Sequence, residues 1–153
     1  MIKVLFVCHG NICRSPMAEY VFKNMVKKKG IERNFIINSS ATSCEELGNP
    51  IHRGTKKKLY EMGIPCGDHR AIRLTKADYD AYDYIIAMDS NNLRNIERIT
   101  GKDIKNKVCL LLDFTDRKGQ SIADPWYTDN FDDTYNDIYE GCKGLLNKIC
   151  KFI

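Results

Sequence analysis

The chain has 153 residues, of which 43% are apolar, 10% aromatic and 29% charged. That balance fits one globular domain (residues 1–153) with a single core and excludes a fibrous or intrinsically disordered polymer. The formal net charge of +4 is mild, and with no zinc-finger, RNA-binding aromatic or basic-zipper pattern beside it, nucleic acid is excluded as the expected partner. No apolar run reaches the length of a membrane span, and the stretch from Ile2 to Val7 is too short for the core of a signal peptide, so the expected setting is the cytoplasm.

In chain order, Lys3–Val7 is a short, almost continuous apolar run of the kind buried in a parallel sheet. From Ser15 the period changes: Met17, Ala18, Val21, Phe22, Met25 and Val26 recur at helical spacing. Ser15 is the expected N-cap, Pro16 the first helical residue and Gly30 the terminator. Phe35–Ile37 is a second strand, and residues 38–50 read as a polar loop. Residues 51–62 read as a helix ended by Gly63, and Tyr84–Met88 as a third strand. Ser90 is the expected N-cap of a helix carrying Leu93, Ile96 and Ile99. Val108–Leu112 is a fourth strand, followed by a polar segment over 113–130. A last helix presents Phe131, Tyr135, Ile138, Cys142, Leu145, Ile149 and Phe152 as one apolar stripe. Alternation of strands and helices predicts an α/β domain: a four-stranded parallel sheet with helices on both faces and ligands at the carboxyl ends of the strands.

The seven cysteines are odd in number and follow no disulfide framework, and none of the three histidines adjoins a C-x-x-C pair, so no metal site is expected. Cys109, Cys142 and Cys150 read as small buried apolar residues. The lysine runs at 27–29 and 56–58 read as solvated helix faces.

Cys8-His9-Gly10-Asn11-Ile12-Cys13-Arg14-Ser15 is different. It lies between the first strand and the first helix, where Gly10 and Asn11 permit left-handed backbone angles and successive N–H groups can turn inward as an anion nest. The helix adds its positive end and Arg14 a planar fork for two phosphate oxygens. A thiol in that field is favoured as the nucleophilic thiolate, and the Ser15 hydroxyl is placed to hydrogen-bond the sulfur. Cleaving a phosphate ester also needs a general acid. Asp124, followed by Pro125, is the candidate, with Trp126 and Tyr127 as pocket walls.

The run from Val4 to Glu19 resembles the signature of the low-molecular-weight protein tyrosine phosphatases, and Asp124-Pro125-Trp126-Tyr127 resembles that family's acid loop. The resemblance covers the whole chain. It implies attack by Cys8 on phosphorus, Arg14 on the equatorial oxygens, and Asp124 as acid and then base, with no metal or organic cofactor. It implies that Asn11 and Ser39 shape the loop with Ser15, and that Glu19 and His69 brace it. Cys13 matches a second loop cysteine able to form a reversible disulfide with the nucleophile, which protects against over-oxidation. Implied partners are phosphotyrosine-containing proteins, with inorganic phosphate, vanadate and sulfate-like anions as inhibitors, acting on a monomer or weak dimer.

Residues 44–47, Cys-Glu-Glu-Leu, resemble bacterial-type members, and Glu45 stands at the substrate wall. Ile12 occupies a position where phosphoarginine-specific members tend to carry threonine, so phosphotyrosine is the expected substrate. Two rival readings remain open at this point. One is an arsenate reductase on the same fold, for which Cys66 lacks a closely spaced partner. The other is a non-catalytic phosphate-binding module, against which the set Cys8, Arg14 and Asp124 argues.

Overall fold

The first apolar run forms β1 (Ile2–Cys8), and its side chains alternate between two cores. Val4, Phe6 and Cys8 face one, Leu5 and Val7 the other. A strand buried on both faces must be central, and it is: the computed structural model, which describes residues 1–151, has one parallel sheet in the order β2-β1-β3-β4. Its other strands are β2 (Phe35–Ala41), β3 (Tyr84–Ala87) and β4 (Val108–Leu110). The helices are α1 (Arg14–Lys28), α2 (Arg53–Glu61), α3 (Lys76–Ala81), α4 (Ser90–Thr100), α5 (Pro125–Thr128) and α6 (Phe131–Cys150). Buried residues of α1, α2 and α6 pack in the core under Val4 and Phe6, whereas Tyr79 of α3 and Ile96 of α4 pack in the core under Leu5 and Val7. The predicted four-stranded parallel sheet with helices on both faces is therefore the fold. No helix among the described residues is long and apolar enough to cross a membrane.

Because β2 and β3 flank β1 on opposite sides, the chain reverses direction across the sheet at β1, and a crevice opens at the carboxyl ends of β1 and β3. Cys8 closes β1 at that crevice, and Asp89 follows β3 at the same end.

Several elements depart from the sequence pattern. β2 continues through Asn38, Ser39 and Ser40 to Ala41, all paired with β1, where a loop was predicted. Those polar residues obscure the strand because Ser39 and Asn38 serve side-chain hydrogen bonds to Asn11 and Tyr82. α3 was not anticipated; its capping box between Thr75 and Asp78 is what makes so short a helix start. The fourth strand stops at Leu110, and Leu111–Phe114 turns into a 3₁₀ helix. Ser90 is not a cap: Asp89 is, exchanging hydrogen bonds with Asn92. Ser15 is likewise inside α1, with its hydroxyl engaged elsewhere. Gly30 and Gly63 do end their helices, at φ of 71° and 70°, the left-handed angles glycine permits. The predicted apolar stripe of the last helix holds from Tyr135 to Ile149, and Phe152 lies outside the described residues.

α6 approaches the 3₁₀ turn so closely that a Cβ on Gly144 would collide with the Phe114 carbonyl. Gly144→Ala is accordingly expected to lose about 1–3 kcal/mol of stability in urea unfolding. Helix propensity alone favours alanine there by about 1 kcal/mol; a variant as stable as the parent removes the close approach.

Candidate active site

The loop between β1 and α1 turns on Asn11, which takes φ of 59°. Asparagine tolerates the left-handed region better than other side-chain-bearing residues. Gly10 is not among the described residues at positive φ, and a Cβ there would meet the Glu46 side chain at 3.4 Å, an ordinary van der Waals contact, so the turn rests on Asn11 and not on Gly10.

Asn11 is buried and its amide is fully used. Oδ1 accepts from the Ile72 N–H at 3.1 Å, which fixes the amide orientation. Nδ2 donates to Ser39 Oγ at 2.9 Å and to Ser15 Oγ at 2.8 Å. Ser39 spends its one proton on Glu19 Oε1 at 2.6 Å, and Lys23 holds the other Glu19 oxygen at 2.5 Å. Ser15 Oγ, already accepting from Asn11, has its own proton left for Cys8 Sγ at 3.0 Å. The Asn11 and Ser15 N–H groups also point at that sulfur, at 3.3 and 3.4 Å. Three donors thus converge on Cys8 Sγ, an environment suited to a sulfur that carries negative charge. His69 Nε2 donates to the Asn11 carbonyl at 3.1 Å, since a carbonyl has no proton to give, and its Nδ1 faces Glu19 at 3.7 Å.

Arg14 is 2% exposed. Nη1 donates to Asp89 Oδ2 at 2.7 Å and to the Ile122 carbonyl at 3.0 Å, and Nη2 to Asp124 Oδ2 at 3.4 Å. Nε is buried without a hydrogen-bond partner among the described residues. Burial opposes the charge, but Cys8, Asp124 and Asp89 outweigh it and hold the guanidinium above its ordinary pKa. Asp124 caps α5 through the Trp126 N–H at 3.0 Å, and Thr134 ties the Ala123 carbonyl at 3.0 Å, so the acid loop is anchored on both sides.

Cys8, His9, Gly10, Ile12, Cys13, Arg14, Glu45, Glu46, Asp124, Trp126 and Tyr127 line one cleft of about 100 Å³. That is small beside the roughly 300–1,000 Å³ of pockets that engulf a drug-sized ligand, so a compact head group fits the floor and the rest of a ligand stays at the rim. Trp126 and Tyr127 stand there, 57% and 83% exposed. Across from the floor, His9 Nε2 meets Glu45 Oε2 at 2.8 Å. Cys13 is buried beside Ile12, and burial first, then the Cys8 and Asp124 charges, push its thiol up to about 12.

The structure brings every sequence-predicted site residue into or directly behind this cleft. Sequence reading missed Asp89 and His52, and it placed Glu46 beside Glu45 without assigning it to the pocket wall. Asp89 had a signal: it follows a buried strand next to β1, at the same carboxyl end as Cys8. His52, which sits edge-on to Trp126, had none.

A sulfur surrounded by donors at a helix head, placed at the switch point of a parallel sheet, defines the class of α/β domains that hold an anion in a cysteine loop. Residues 3–152 match the model of one such family, described as low molecular weight phosphotyrosine protein phosphatase. The chain is 40% identical over 152 residues to the low molecular weight protein-tyrosine-phosphatase YfkJ of Bacillus subtilis (strain 168), covering 99% of this chain and 97% of that one. It is 38% identical to PtpA of Staphylococcus aureus (strain MRSA252), with 99% and 96% covered. The crystal structure of YfkJ superposes with a TM-score of 0.94 at 39% identity over 99% and 96% of the two chains. A Drosophila arginine phosphatase superposes at 0.88, with 30% identity over 97% and 98%. The chain belongs to the low molecular weight phosphotyrosine protein phosphatase family.

Removing Asp89 tests how Arg14 is held. Asp89→Ala is expected to lower stability in urea unfolding by about 2–4 kcal/mol, from a buried guanidinium left with only the longer Asp124 pairing and from a lost α4 cap. Asp89→Asn keeps a capping oxygen and is expected to recover about 1 kcal/mol of that. Parental stability in Asp89→Ala rules out the tie.

Proposed function

We propose that the protein hydrolyses phosphotyrosine monoesters through a cysteinyl-phosphate intermediate, without metal. The observation that carries this reading is the convergence of three donors on Cys8 Sγ, across the cleft from Asp124. Cys8 Sγ attacks phosphorus while the bond to the phenolic oxygen breaks, and Asp124 gives that oxygen its proton. Asp124 then takes a proton from water as the water attacks phosphorus; the P–S bond breaks, releasing inorganic phosphate and restoring Cys8. Arg14 Nε, a buried donor with no partner among the described residues, supports a role for Arg14 on the equatorial oxygens. The hydroxyl of Ser15 supports sulfur as nucleophile and as leaving group. Asn11, Ser39, Glu19 and His69 would keep the loop in shape.

Two leaving groups compete for the rim. Ile12, Trp126 and Tyr127 offer apolar and aromatic surface to a phenyl ring. Glu45 and Glu46 offer carboxylates, which would suit a guanidinium, and one structurally similar protein is an arginine phosphatase. We favour phosphotyrosine because the indole and phenol rings, with Ile12, are apolar walls on which an aryl ring can stack, and we read the two glutamates as favouring basic flanks over acidic ones.

Cys13 reads as a redox partner. Peroxide would convert Cys8 to the sulfenic acid, and the Cys13 thiol would displace water from it to form a disulfide. Oxidation also removes the Cys8 charge that helps keep Cys13 protonated, so Cys13 ionises more readily at the step that needs it.

Turnover of p-nitrophenyl phosphate is expected to proceed with a chelator present, to be inhibited by vanadate, and to vanish in Cys8→Ser; parental activity in that variant sinks the mechanism. Asp124→Ala is expected to lower kcat on phenyl phosphate about 10²–10⁴-fold, and less on the nitrophenyl ester, whose leaving group needs less help. Matched peptides should release phosphate faster from phosphotyrosine than from phosphoarginine, and the reverse order transfers the assignment. After mild peroxide, reductant is expected to restore the parent but not Cys13→Ser; equal recovery removes the redox role.

A further inference from the structure

His52 precedes α2 and touches the loop after β1, the start of α6 and the Trp126 ring. Its backbone N–H donates to the Ile12 carbonyl at 2.8 Å, tying it to the phosphate loop. Its Nδ1 accepts from the Gly54 N–H at 3.0 Å and so caps α2. Its ring stacks on Phe131 with centroids 5.4 Å apart and planes 19° from parallel. A Cβ on Gly54 would occupy the Phe131 ring, so the stack requires glycine at that position. The imidazole is therefore fixed by a cap on one atom and a stack on one face. It meets the Trp126 indole edge-on, at 5.7 Å and 76°. Trp126 is otherwise more than half exposed, and its backbone N–H binds Asp124 Oδ1.

From this geometry we propose that His52 is a positioning residue: it holds the Trp126 indole upright at the mouth of the cleft and so sets affinity for the aryl part of the substrate. The proposal rests on the reading of the cleft as a phosphotyrosine site. It assigns His52 no proton transfer, because it lies behind Trp126 and contributes no atom to the cleft lining. The ring acts on binding more than on chemistry, since Asp124 keeps its separate ties to Arg14 and to α5.

Trp126 is the chain's one tryptophan, so its emission reports on the rim in the absence of any substrate. His52→Asn keeps a capping oxygen and removes the ring; His52→Phe keeps a ring and removes the cap. In His52→Asn, Trp126 emission should shift to the red and become easier to quench with acrylamide. KM for a phosphotyrosyl peptide should rise about threefold to tenfold, the scale of one aromatic pair, while kcat stays within about twofold. His52→Phe should keep parental emission and KM despite a lower Tm. Parental emission and KM in His52→Asn overturn the proposal, and an equal KM rise in both variants does so too, because it assigns the effect to the cap. Emission needs no turnover: absent hydrolysis defeats the functional reading alone, and unchanged emission in His52→Asn defeats the positioning role alone.

Discussion

The site depends on the Asn11 side-chain amide. Its residue takes the left-handed backbone angle that turns the loop, and its Nδ2 hydrogens go to Ser39 and Ser15. Other residues meet only half of that requirement. Glycine accepts the angle but has no amide, and aspartate accepts it but has no N–H to donate. The direction of the chain of hydrogen bonds follows from its far end. A Glu19 carboxylate takes the Ser39 proton, so Ser39 can only accept from Asn11; Ser15, accepting from Asn11, can only donate to sulfur. The donor count at Cys8 is thus set on β2 and in α1, away from the sulfur itself.

The second constraint is electrostatic. A guanidinium as buried as Arg14 is costly unless paired and hydrogen-bonded. Asp89 and Asp124 supply the pairing from two different loops, and the Ile122 carbonyl supplies a further acceptor. Both loops lie at the carboxyl ends of the strands, so the sheet order that opens the crevice also delivers the counter-charges to it. Ile122 binds Met88 just beyond β3 through its N–H at 2.8 Å and Arg14 through its carbonyl, which stitches the acid loop to the sheet. Among the described residues, Arg14 Nε alone of the guanidinium nitrogens has no protein acceptor.

The parts legible in sequence were those where one physical signal dominated. β1 declared itself by a run of residues buried on both faces, and α1 and α6 by their apolar stripes. The phosphate loop was legible because cysteine, glycine, asparagine and arginine serve so few other purposes at a strand-to-helix junction. The failures fall where a residue has two duties. Ser39 sits in β2 yet reads as a loop residue, because its hydroxyl is committed to Asn11 and Glu19 instead of an apolar face. Ser15 has the composition of a cap but lies inside α1 to serve sulfur. Asp89 both caps α4 and pairs with Arg14, and the neighbouring Ser90 drew the cap assignment away from it. No local pattern could show that His52 would meet Trp126, because the two are 74 residues apart and joined only by packing.

Burial separates the cleft into a floor and a rim with different tasks. Arg14 on the floor and Asn11, Ser15 and Ser39 behind it are buried and hydrogen-bonded, Arg14 to the two aspartates and the other three to one another, so a change at any of them leaves polar groups without partners. Substitution at such positions is penalised in stability before it reaches chemistry. The rim residues Glu45, Trp126 and Tyr127 are exposed and make few contacts with the floor. Their replacement leaves the buried hydrogen-bond network standing, so under the proposed function the rim is the part of this fold that can vary with the leaving group and its flanks. On the proposed reading, a floor that holds the phosphate group carries no information about what the phosphate is attached to. Selectivity for one phosphorylated side chain over another must therefore come from the rim, where the decisive balance lies between the aromatic pair on the acid loop and the two glutamates facing it.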